Sequence, residues 1–203
     1  MNRFLFHFLL VLIGLLSCKN QQGNNYNQFT TKENLALESK YEEMLSSISD
    51  IKSTDPEIYW FIVSWLNSNY NTPDWHGYGN EEWKEKTKKN GIDCSGFARV
   101  MQKEIFNKKI RGGSQGILDG YCNRKSTRKL EMGDLLFFRA PYSKNDRIVH
   151  VSVYLKDGYF VHATSAKSAA QGYGVMINSL DEENWKKELV TAGEIKERFV
   201  LSK

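Results

Sequence analysis

Two short segments near the end of the chain constrain its fold more than any other feature. In "VHVSVYL" (residues 149–155) aliphatic side chains alternate with histidine, serine and tyrosine. In "YFVHAT" (residues 159–164) a second histidine shares one face with a phenylalanine and a threonine. A period of two residues is typical of a β-strand whose faces meet different surroundings. The residues between them, Lys156-Asp157-Gly158, suit a three-residue hairpin loop with glycine in the left-handed conformation. The pattern therefore predicts an antiparallel hairpin.

The loop length also predicts where the histidines point. A three-residue loop pairs Leu155 with Tyr159, and the same register places Ser152 opposite His162. His150 then lies diagonal to His162 on one face of the hairpin, with Cα atoms about 7 to 8 Å apart. A two-residue loop would shift the register by one and place the imidazoles on opposite faces, so this prediction depends on the turn.

The stretch "NGIDCSGFARVM", residues 90–101, predicts a helix that begins within one or two residues of Cys94, because Phe97, Val100 and Met101 follow at helical spacing. Asp93 or Ser95 is the expected cap. The thiol then lies at the positive end of a helix. A free cysteine is only a few per cent thiolate at pH 7, so we expect a histidine to activate it.

The N-terminus divides into short segments before the main domain. Residues 1–17 carry a basic start and an apolar run too short to span a bilayer, which is typical of a secretory signal peptide. "LLSC" resembles the lipobox of bacterial lipoproteins and predicts lipidation at Cys18, with ordinary cleavage as the alternative. Residues 18–32 are rich in Asn and Gln and predict a flexible tether.

The remaining residues have the composition of a single globular domain, with 40% hydrophobic and 13% aromatic residues. We expect an N-terminal helical extension over residues 33–54 and a catalytic domain over residues 55–203. Asp55 and Pro56 predict the start of an apolar helix. The charged run over residues 81–90 is more typical of a solvated face or a loop.

Taken in order, several motifs carry a family resemblance. "DCSG" opens a helix, "GDLLFF" follows at residues 133–138, then "HVSVYL", and then "HAT" with its histidine twelve residues after the first. From about Pro56 to Phe199 the chain resembles the NlpC/P60 family of bacterial cell-wall peptidases. The resemblance implies an α+β, papain-like domain, with helices packed on an antiparallel sheet and the nucleophile at a helix N-terminus.

The resemblance also implies roles for particular residues. Cys94 matches the nucleophile, His150 the general base and His162 the polar residue that orients the base. Asp93 and Ser95 match positions that contact substrate in relatives. The family motif that normally supplies a tyrosine near the cysteine is incomplete here, because Asp74 occupies its place. Tyr78 is the candidate replacement as a substrate-binding residue, whereas Trp75 and His76 fit either a groove or a packed loop.

The implied function is hydrolysis of peptidoglycan stem peptides, at the γ-D-glutamyl to diamino-acid bond or at the D-Ala to diamino-acid crosslink. No cofactor is expected. The partners would be stem peptides and, through Cys18, a membrane, with the protein a monomer in the cell envelope on the periplasmic or outer-membrane face. A net charge of +4 is too small and dispersed for a nucleic-acid binder.

Three alternatives remain open at this stage. The chain could be a non-enzymatic lipoprotein that binds wall peptides, or an amidase or acyltransferase on the same papain-like fold. A zinc site of Cys94, Cys122, His150 and His162 lacks the usual CxxC or HxxxH spacing. With Cys94 catalytic and Cys18 lipidated, Cys122 is expected to be a free buried thiol.

Overall fold

The computed structural model describes residues 31–66, 68–73, 75, 78, 80–165 and 174–201. The predicted signal peptide, Cys18, almost all of the tether and His76 lie outside these residues. In the described part of the chain, no helix is both long enough and apolar enough to cross a membrane. The helices are α1 (Lys32–Lys40), α2 (Glu42–Ser46), α3 (Ile51–Thr54), α4 (Pro56–Trp65), α5 (Glu81–Asn90), α6 (Cys94–Glu104), α7 (Ser114–Tyr121) and α8 (Glu183–Glu188). The strands are β1 (Cys122–Lys125), β2 (Leu135–Arg139), β3 (Ile148–Lys156), β4 (Tyr159–Thr164), β5 (Gly174–Ser179) and β6 (Leu189–Ile195), and a 3₁₀ turn covers Glu197–Phe199.

The strands form one sheet in the order β1-β6-β2-β3-β4-β5, and every neighbouring pair is antiparallel. Helices α6 and α7 pack against β3, while α8 contacts β2. The predicted α+β architecture, with helices on an antiparallel sheet, is confirmed.

Side chains alternate between two apolar clusters on the two faces of the sheet. Phe137, Val151 and Val161 belong to the large core on the face covered by α6. Leu136 and Phe160 belong to a smaller cluster on the other face, where α8 packs. Because the alternation is strict in β2 and β4, successive side chains along each strand join different clusters.

The β3–β4 hairpin has the predicted register but not the predicted loop. Lys156 pairs with Tyr159, so the turn contains only Asp157 and Gly158, both with positive φ (50° and 85°). A bulge between Tyr154 and Lys156 inserts one extra residue, and Val153 pairs with Val161 as the three-residue loop predicted. The predictions of the loop and of the Leu155–Tyr159 pair are therefore wrong, whereas the predicted register of Val153 with Val161 is confirmed because the bulge offsets the shorter turn.

Helix α6 begins at Cys94, as predicted, and Asp93 is its cap. The Asp93 carboxylate accepts hydrogen bonds from the Gly96 N–H at 2.6 Å and from the Ser95 hydroxyl at 2.9 Å. A Cβ on Gly96 would lie 2.9 Å from Ile92 Cγ1 and 3.0 Å from Asp93 Oδ1. The glycine in "DCSG" therefore lets the first turn of the helix pack closely against its own cap.

The N-terminal segment is helical, as predicted, but Tyr41 separates α1 from α2. Met44, Ile48 and Ile51 are buried in the same large core as the sheet. Pro56 opens α4 as predicted, although the Asp55 side chain makes no capping hydrogen bond. Residues 33–54 thus pack as part of one core with the segment that follows.

The charged run over residues 81–90 forms helix α5 with a largely solvated face, so of the two expectations for this run the loop is wrong. Asn80 caps it by accepting the Trp83 N–H at 2.7 Å. Acidic residues occupy the first turn and lysines the last, which suits the helix dipole. Trp83 and Thr87, four residues apart, form its buried face.

Candidate functional site

Two histidines from adjacent strands meet on the face of the sheet that carries the smaller cluster. His150 Nε2 lies 2.7 Å from His162 Nδ1. His162 is fully buried, whereas His150 keeps some exposure to solvent. The second ring nitrogen of His162, Nε2, lies 2.9 Å from Asn178 Oδ1 on β5. The sequence prediction that the two imidazoles share a face of the hairpin is confirmed, and the structure adds the direct contact between them.

Aromatic rings surround the pair. The centroid of Trp185 on α8 lies 4.8 Å from that of His162 and 5.5 Å from that of His150. The ring centroid of Phe138 lies 5.8 Å from that of His150, and the ring centroid of Phe160 lies 5.1 Å from that of His162. This enclosure removes water from most of the two imidazoles.

Burial favours the neutral forms of both histidines. It lowers the pKa of His162 to about 4, although the hydrogen bond to Asn178 acts in the opposite direction. Burial, together with the charge that His162 would carry, holds the pKa of His150 well below its usual range. At neutral pH both imidazoles are therefore uncharged, and each has one N–H and one lone pair.

Cys94 is the first residue of α6 and is only 6% exposed. Its Sγ lies 3.6 Å from the hydroxyl of Ser114, the first residue of α7. A hydrogen bond from the backbone N–H of Ile148 to Gln115 Oε1, at 2.9 Å, ties α7 to β3. The start of α7 is thus held beside the thiol.

The position of Cys94 at a helix N-terminus does not lower the pKa of its thiol. Burial raises the pKa of Cys94, and the neighbouring Asp93 carboxylate adds to the rise. The Ser114 hydroxyl and the N–H groups of Val151 and Ser95 act in the opposite direction but do not prevail. The site at rest therefore combines a neutral thiol with neutral imidazoles.

The thiol of Cys94 lies beside β3, at the residue next to His150 in the sequence. The backbone N–H of Val151 interacts with the Cys94 thiol, and Val151 directly follows His150 in β3. Backbone pairing between β3 and β4 ends at Val153 and Val161, and it does not continue to Ser152 and His162. No hydrogen bond joins Cys94 to His150 among the described residues. The ring nitrogen of His150 not used by His162 is Nδ1.

Asp93 and Ser95 flank the thiol as the motif predicts. Asp93 Oδ1 is occupied by the helix cap, and the Ser95 hydroxyl donates to that same oxygen. Both side chains keep partial exposure. The other carboxylate oxygen, Oδ2, makes no hydrogen bond within the described residues, and it can accept one from a ligand.

Tyr78, the candidate replacement for the family tyrosine, packs away from the thiol. Its ring lies 5.2 Å from that of Trp75 and 4.9 Å from that of Trp83, and its hydroxyl approaches the Arg99 carbonyl at 3.5 Å. The Arg99 guanidinium carbon lies 3.5 Å from the centroid of Trp75. Trp75 and Tyr78 therefore belong to a packed loop beside the middle of α6.

A different tyrosine, Tyr70, lies close to Cys94. Burial, with Cys94 and Asp93 as charged neighbours, raises the pKa of Tyr70 to about 12. The Ile92 N–H donates to the Asn69 carbonyl at 2.9 Å, and the Asn71 N–H donates to the Ile92 carbonyl at 3.4 Å. These bonds hold the residues on both sides of Tyr70 against Ile92, which lies two positions before Cys94.

Sequence reasoning missed four residues of this site: Tyr70, Ser114, Asn178 and Trp185. Tyr70 is just upstream of the incomplete motif, so a search for a shifted tyrosine would have found it. Asn178 follows the alternation of β5, but its partner in β4 depends on a register that the sequence does not determine. Ser114 and Trp185 reach the site only through tertiary packing.

Cys122 lies on β1, is buried and forms no disulfide among the described residues. Burial raises its pKa to about 12. A Cβ on Gly193 would lie 2.8 Å from its Cβ, so the strand β6 packs closely on it. In the described part of the chain, no group of three or more His, Cys, Asp or Glu residues is arranged to hold a metal ion.

Comparison with known proteins places this arrangement in a family. The model of the "NlpC/P60 family" matches residues 75–194, a range that includes Cys94, His150 and His162. One crystal structure, described as similar to a lipoprotein of the NLP/P60 family from Staphylococcus aureus, superposes with a TM-score of 0.50 at 20% identity. It covers 68% of this chain and 40% of that protein, and it supports the fold alone.

Curated relatives come from two bacteria. "Probable endopeptidase NlpC" of Escherichia coli is 31% identical over 139 residues, 66% of this chain and 79% of that protein. "Probable endopeptidase NlpC homolog" of Haemophilus influenzae is 37% identical over 100 residues, 49% of this chain and 46% of that protein. "Murein DD-endopeptidase MepS/Murein LD-carboxypeptidase" of E. coli is 33% identical over 99 residues. The chain thus spans under half of the Haemophilus relative.

Proposed function

Because this chain belongs to the NlpC/P60 family, we propose that it is a cysteine peptidase that cleaves peptidoglycan stem peptides. Cys94 is the nucleophile, His150 the base and His162 the residue that orients the base. The observation that carries the proposal is the 2.7 Å contact between His150 Nε2 and His162 Nδ1. This contact leaves Nδ1 of His150 available to accept a proton from the thiol.

The reaction begins from neutral groups. His150 Nδ1 takes the Sγ–H proton as the thiolate attacks the carbonyl carbon of the scissile amide. The C–N bond then breaks, the amine leaves with the proton from His150, and the acyl group remains on Cys94 as a thioester. Water, activated by the same imidazole, hydrolyses the thioester and restores the thiol. The Cys94–His150 hydrogen bond forms in the substrate complex, as often happens at sites that are open in the free enzyme.

The tetrahedral intermediate needs hydrogen-bond donors. The backbone N–H of Cys94, at the start of α6, is one of them. The Tyr70 hydroxyl is the second, since a pKa raised to about 12 keeps it protonated and able to donate. In this proposal Tyr70, and not Tyr78, takes the place of the family tyrosine.

The substrate is a stem peptide with a diamino acid. Asp93 Oδ2, which has no hydrogen-bond partner among the described residues, can meet an ammonium group. The relatives are named as a probable endopeptidase and a murein DD-endopeptidase. The bond cleaved is then the γ-D-glutamyl to diamino-acid bond or the D-Ala to diamino-acid crosslink. Glycosidic bonds stay intact, because a thiol and imidazoles do not supply the paired carboxylates that glycan hydrolysis uses.

Lipidation at Cys18 would hold this activity at a membrane. Residues 18–32 would then act as the tether between the lipid and the domain, and the protein would work as a monomer in the cell envelope. The anchor and the catalytic domain are separable parts of the proposal, because neither Cys94 nor the histidine pair depends on Cys18.

The substrate can be identified by product mass. The full-length protein is incubated with a defined γ-D-glutamyl tripeptide, a crosslinked muropeptide and purified sacculi, each with Cys94→Ala and Cys122→Ser in parallel. Cleavage by the parent and by Cys122→Ser, but not by Cys94→Ala, is expected. Release of sugars without peptide cleavage, or no product from any substrate with retained binding to sacculi, would contradict the proposal and favour a wall-binding lipoprotein.

A further inference from the structure

The hydrogen-bond chain of the histidine pair continues beyond His162. His162 Nε2 lies 2.9 Å from Asn178 Oδ1 on β5. Asn178 Nδ2 in turn lies 2.9 Å from Glu182 Oε1 and 3.1 Å from Glu182 Oε2. Four side chains therefore form one line that runs from the partly exposed His150, through the buried His162, to an exposed carboxylate.

The carboxylate determines the direction of every bond in this line. An ionised Glu182 can only accept hydrogen bonds, so the group of Asn178 that faces it must be the amide NH₂. The amide oxygen of Asn178 then faces His162 and can only accept. His162 must therefore carry its proton on Nε2.

The same logic extends to the base. A neutral His162 with its proton on Nε2 has a lone pair on Nδ1. His150 then donates from Nε2 to that lone pair, and its own lone pair is on Nδ1. That is the nitrogen that the proposed mechanism needs as the proton acceptor for Cys94.

We propose that Asn178 and Glu182 are positioning residues that select the Nε2–H tautomer of both histidines and so keep His150 Nδ1 free as the base. The tautomer assignment follows from the hydrogen bonds and from the burial that keeps His162 neutral. Only its catalytic consequence rests on the proposed function.

Local structure holds the outer end of the line in place. The Ser179 N–H donates to Glu182 Oε1 at 2.8 Å, so the carboxylate is fixed to the end of β5. Asn178 pairs with Phe160 across the β4–β5 ladder, which places its side chain diagonal to His162 on the same face. Trp185 on the following helix packs on the His162 ring at 4.8 Å between centroids.

Three variants separate this role from general packing. Asn178→Ala removes the acceptor for His162. Glu182→Gln replaces an obligate acceptor with an amide that can also donate, so the orientation of Asn178 is no longer determined. Glu183→Gln is the matched control, because Glu183 is the adjacent exposed carboxylate and pairs with Lys187. Within the described part of the chain, it forms no hydrogen bond with His150 or His162.

The direct readout is the tautomer of each imidazole. Full-length protein labelled with ¹⁵N-histidine is studied near pH 7.5 by long-range ¹H–¹⁵N correlation, and substitution of one histidine at a time assigns the signals. The parent should show both His150 and His162 as Nε2–H. Asn178→Ala and Glu182→Gln should show mixed tautomers, whereas Glu183→Gln should match the parent.

Kinetics supply the second readout, with thermal unfolding as a check that each variant is folded. A wrong tautomer weakens the base without touching the substrate, so kcat should fall about tenfold in Asn178→Ala and Glu182→Gln with KM unchanged. Equal loss in Glu183→Gln would overturn the assignment.

The tautomer result stands apart from the activity result. An Nδ1–H proton on His162 in the parent would overturn this inference even in an active peptidase. So would a fall in kcat with both tautomers unchanged, since that would indicate packing alone. Nε2–H tautomers in a protein that cleaves no peptide would support the inference and contradict the proposed function instead.

Discussion

Acidification should destabilise this protein through His162 before its carboxylates titrate. The side chain is fully buried, and its folded-state pKa is about 4 against an unfolded value of about 6.5. At pH values between these two pKa values, His162 is protonated in the unfolded chain and neutral in the folded chain. The stabilising contribution is therefore fully present above pH 6.5 and is lost as the pH falls toward 4.

The expected magnitude follows from the two pKa values. With one proton and a difference of about 2.5 units, the free energy of unfolding falls by about 2 kcal/mol between pH 7 and pH 5. His150, whose pKa is also lowered by burial, adds to this loss in the same direction. Carboxylates with lowered pKa values, such as Glu38, contribute little above pH 5.

Urea unfolding of full-length protein, followed by tryptophan fluorescence at pH 7, 6 and 5, measures this loss. His162→Gln should lose about 2 kcal/mol less than the parent over that range, whatever its stability at pH 7. Equal pH dependence in His162→Gln and the parent would refute the claim that His162 is buried in its neutral form.

Other outcomes test the remaining parts of the site. Tyr70→Phe should lower kcat about tenfold or more by removing an oxyanion donor, whereas Tyr78→Phe should leave kcat unchanged; the reverse order, measured on a stem tripeptide, would restore Tyr78 to the site. His150→Ala should lower kcat/KM nearly as much as loss of the nucleophile, and His162→Ala should lower it less, because His162 orients and does not transfer the proton; parental rates in His150→Ala would exclude it as the base. Cys18→Ser should abolish labelling by a fatty-acid probe and release the protein from membranes, and an unlabelled parent would indicate ordinary secretion.

The hairpin shows both what the sequence could predict and where it was insufficient. Alternation in β3 and β4 predicted the faces of His150 and His162, because a period of two depends only on the backbone. The prediction of a three-residue loop was wrong, because Asp157 adopts a positive φ and the turn contains only two residues. The bulge beside Leu155 restored the register, and nothing in the local sequence specifies that bulge.

The helices show the same limit. The start of helix α6 could be predicted to within one or two residues, because Asp93 and Ser95 are both good caps and the apolar period after Cys94 is clear. Helix α5 was missed, because its buried face consists only of Trp83 and Thr87 within a run of charges. Apolar periodicity identifies helices that bury a wide face and misses those that bury one large side chain.

The electrostatics of the site could not be predicted from the motif. The motif placed Cys94 at a helix N-terminus and predicted a histidine to activate it, but burial raises the pKa of Cys94 and lowers the pKa of His150. Burial depends on how α6, α7 and the sheet pack, and these contacts join distant parts of the chain. The partners beyond the motif, Ser114 and Asn178, are determined by the same packing.

The central claim, that Cys94 is the nucleophile of a peptidase, is tested most directly by trapping the acyl-enzyme. Full-length protein and its Cys94→Ala variant are mixed with a stem tripeptide, quenched in acid within the first turnover and analysed by intact and peptide mass spectrometry. The account predicts a substrate-derived acyl group on the peptide that contains Cys94 in the parent and none in the variant. Parental cleavage by Cys94→Ala, or an acyl group on a different residue, would contradict it.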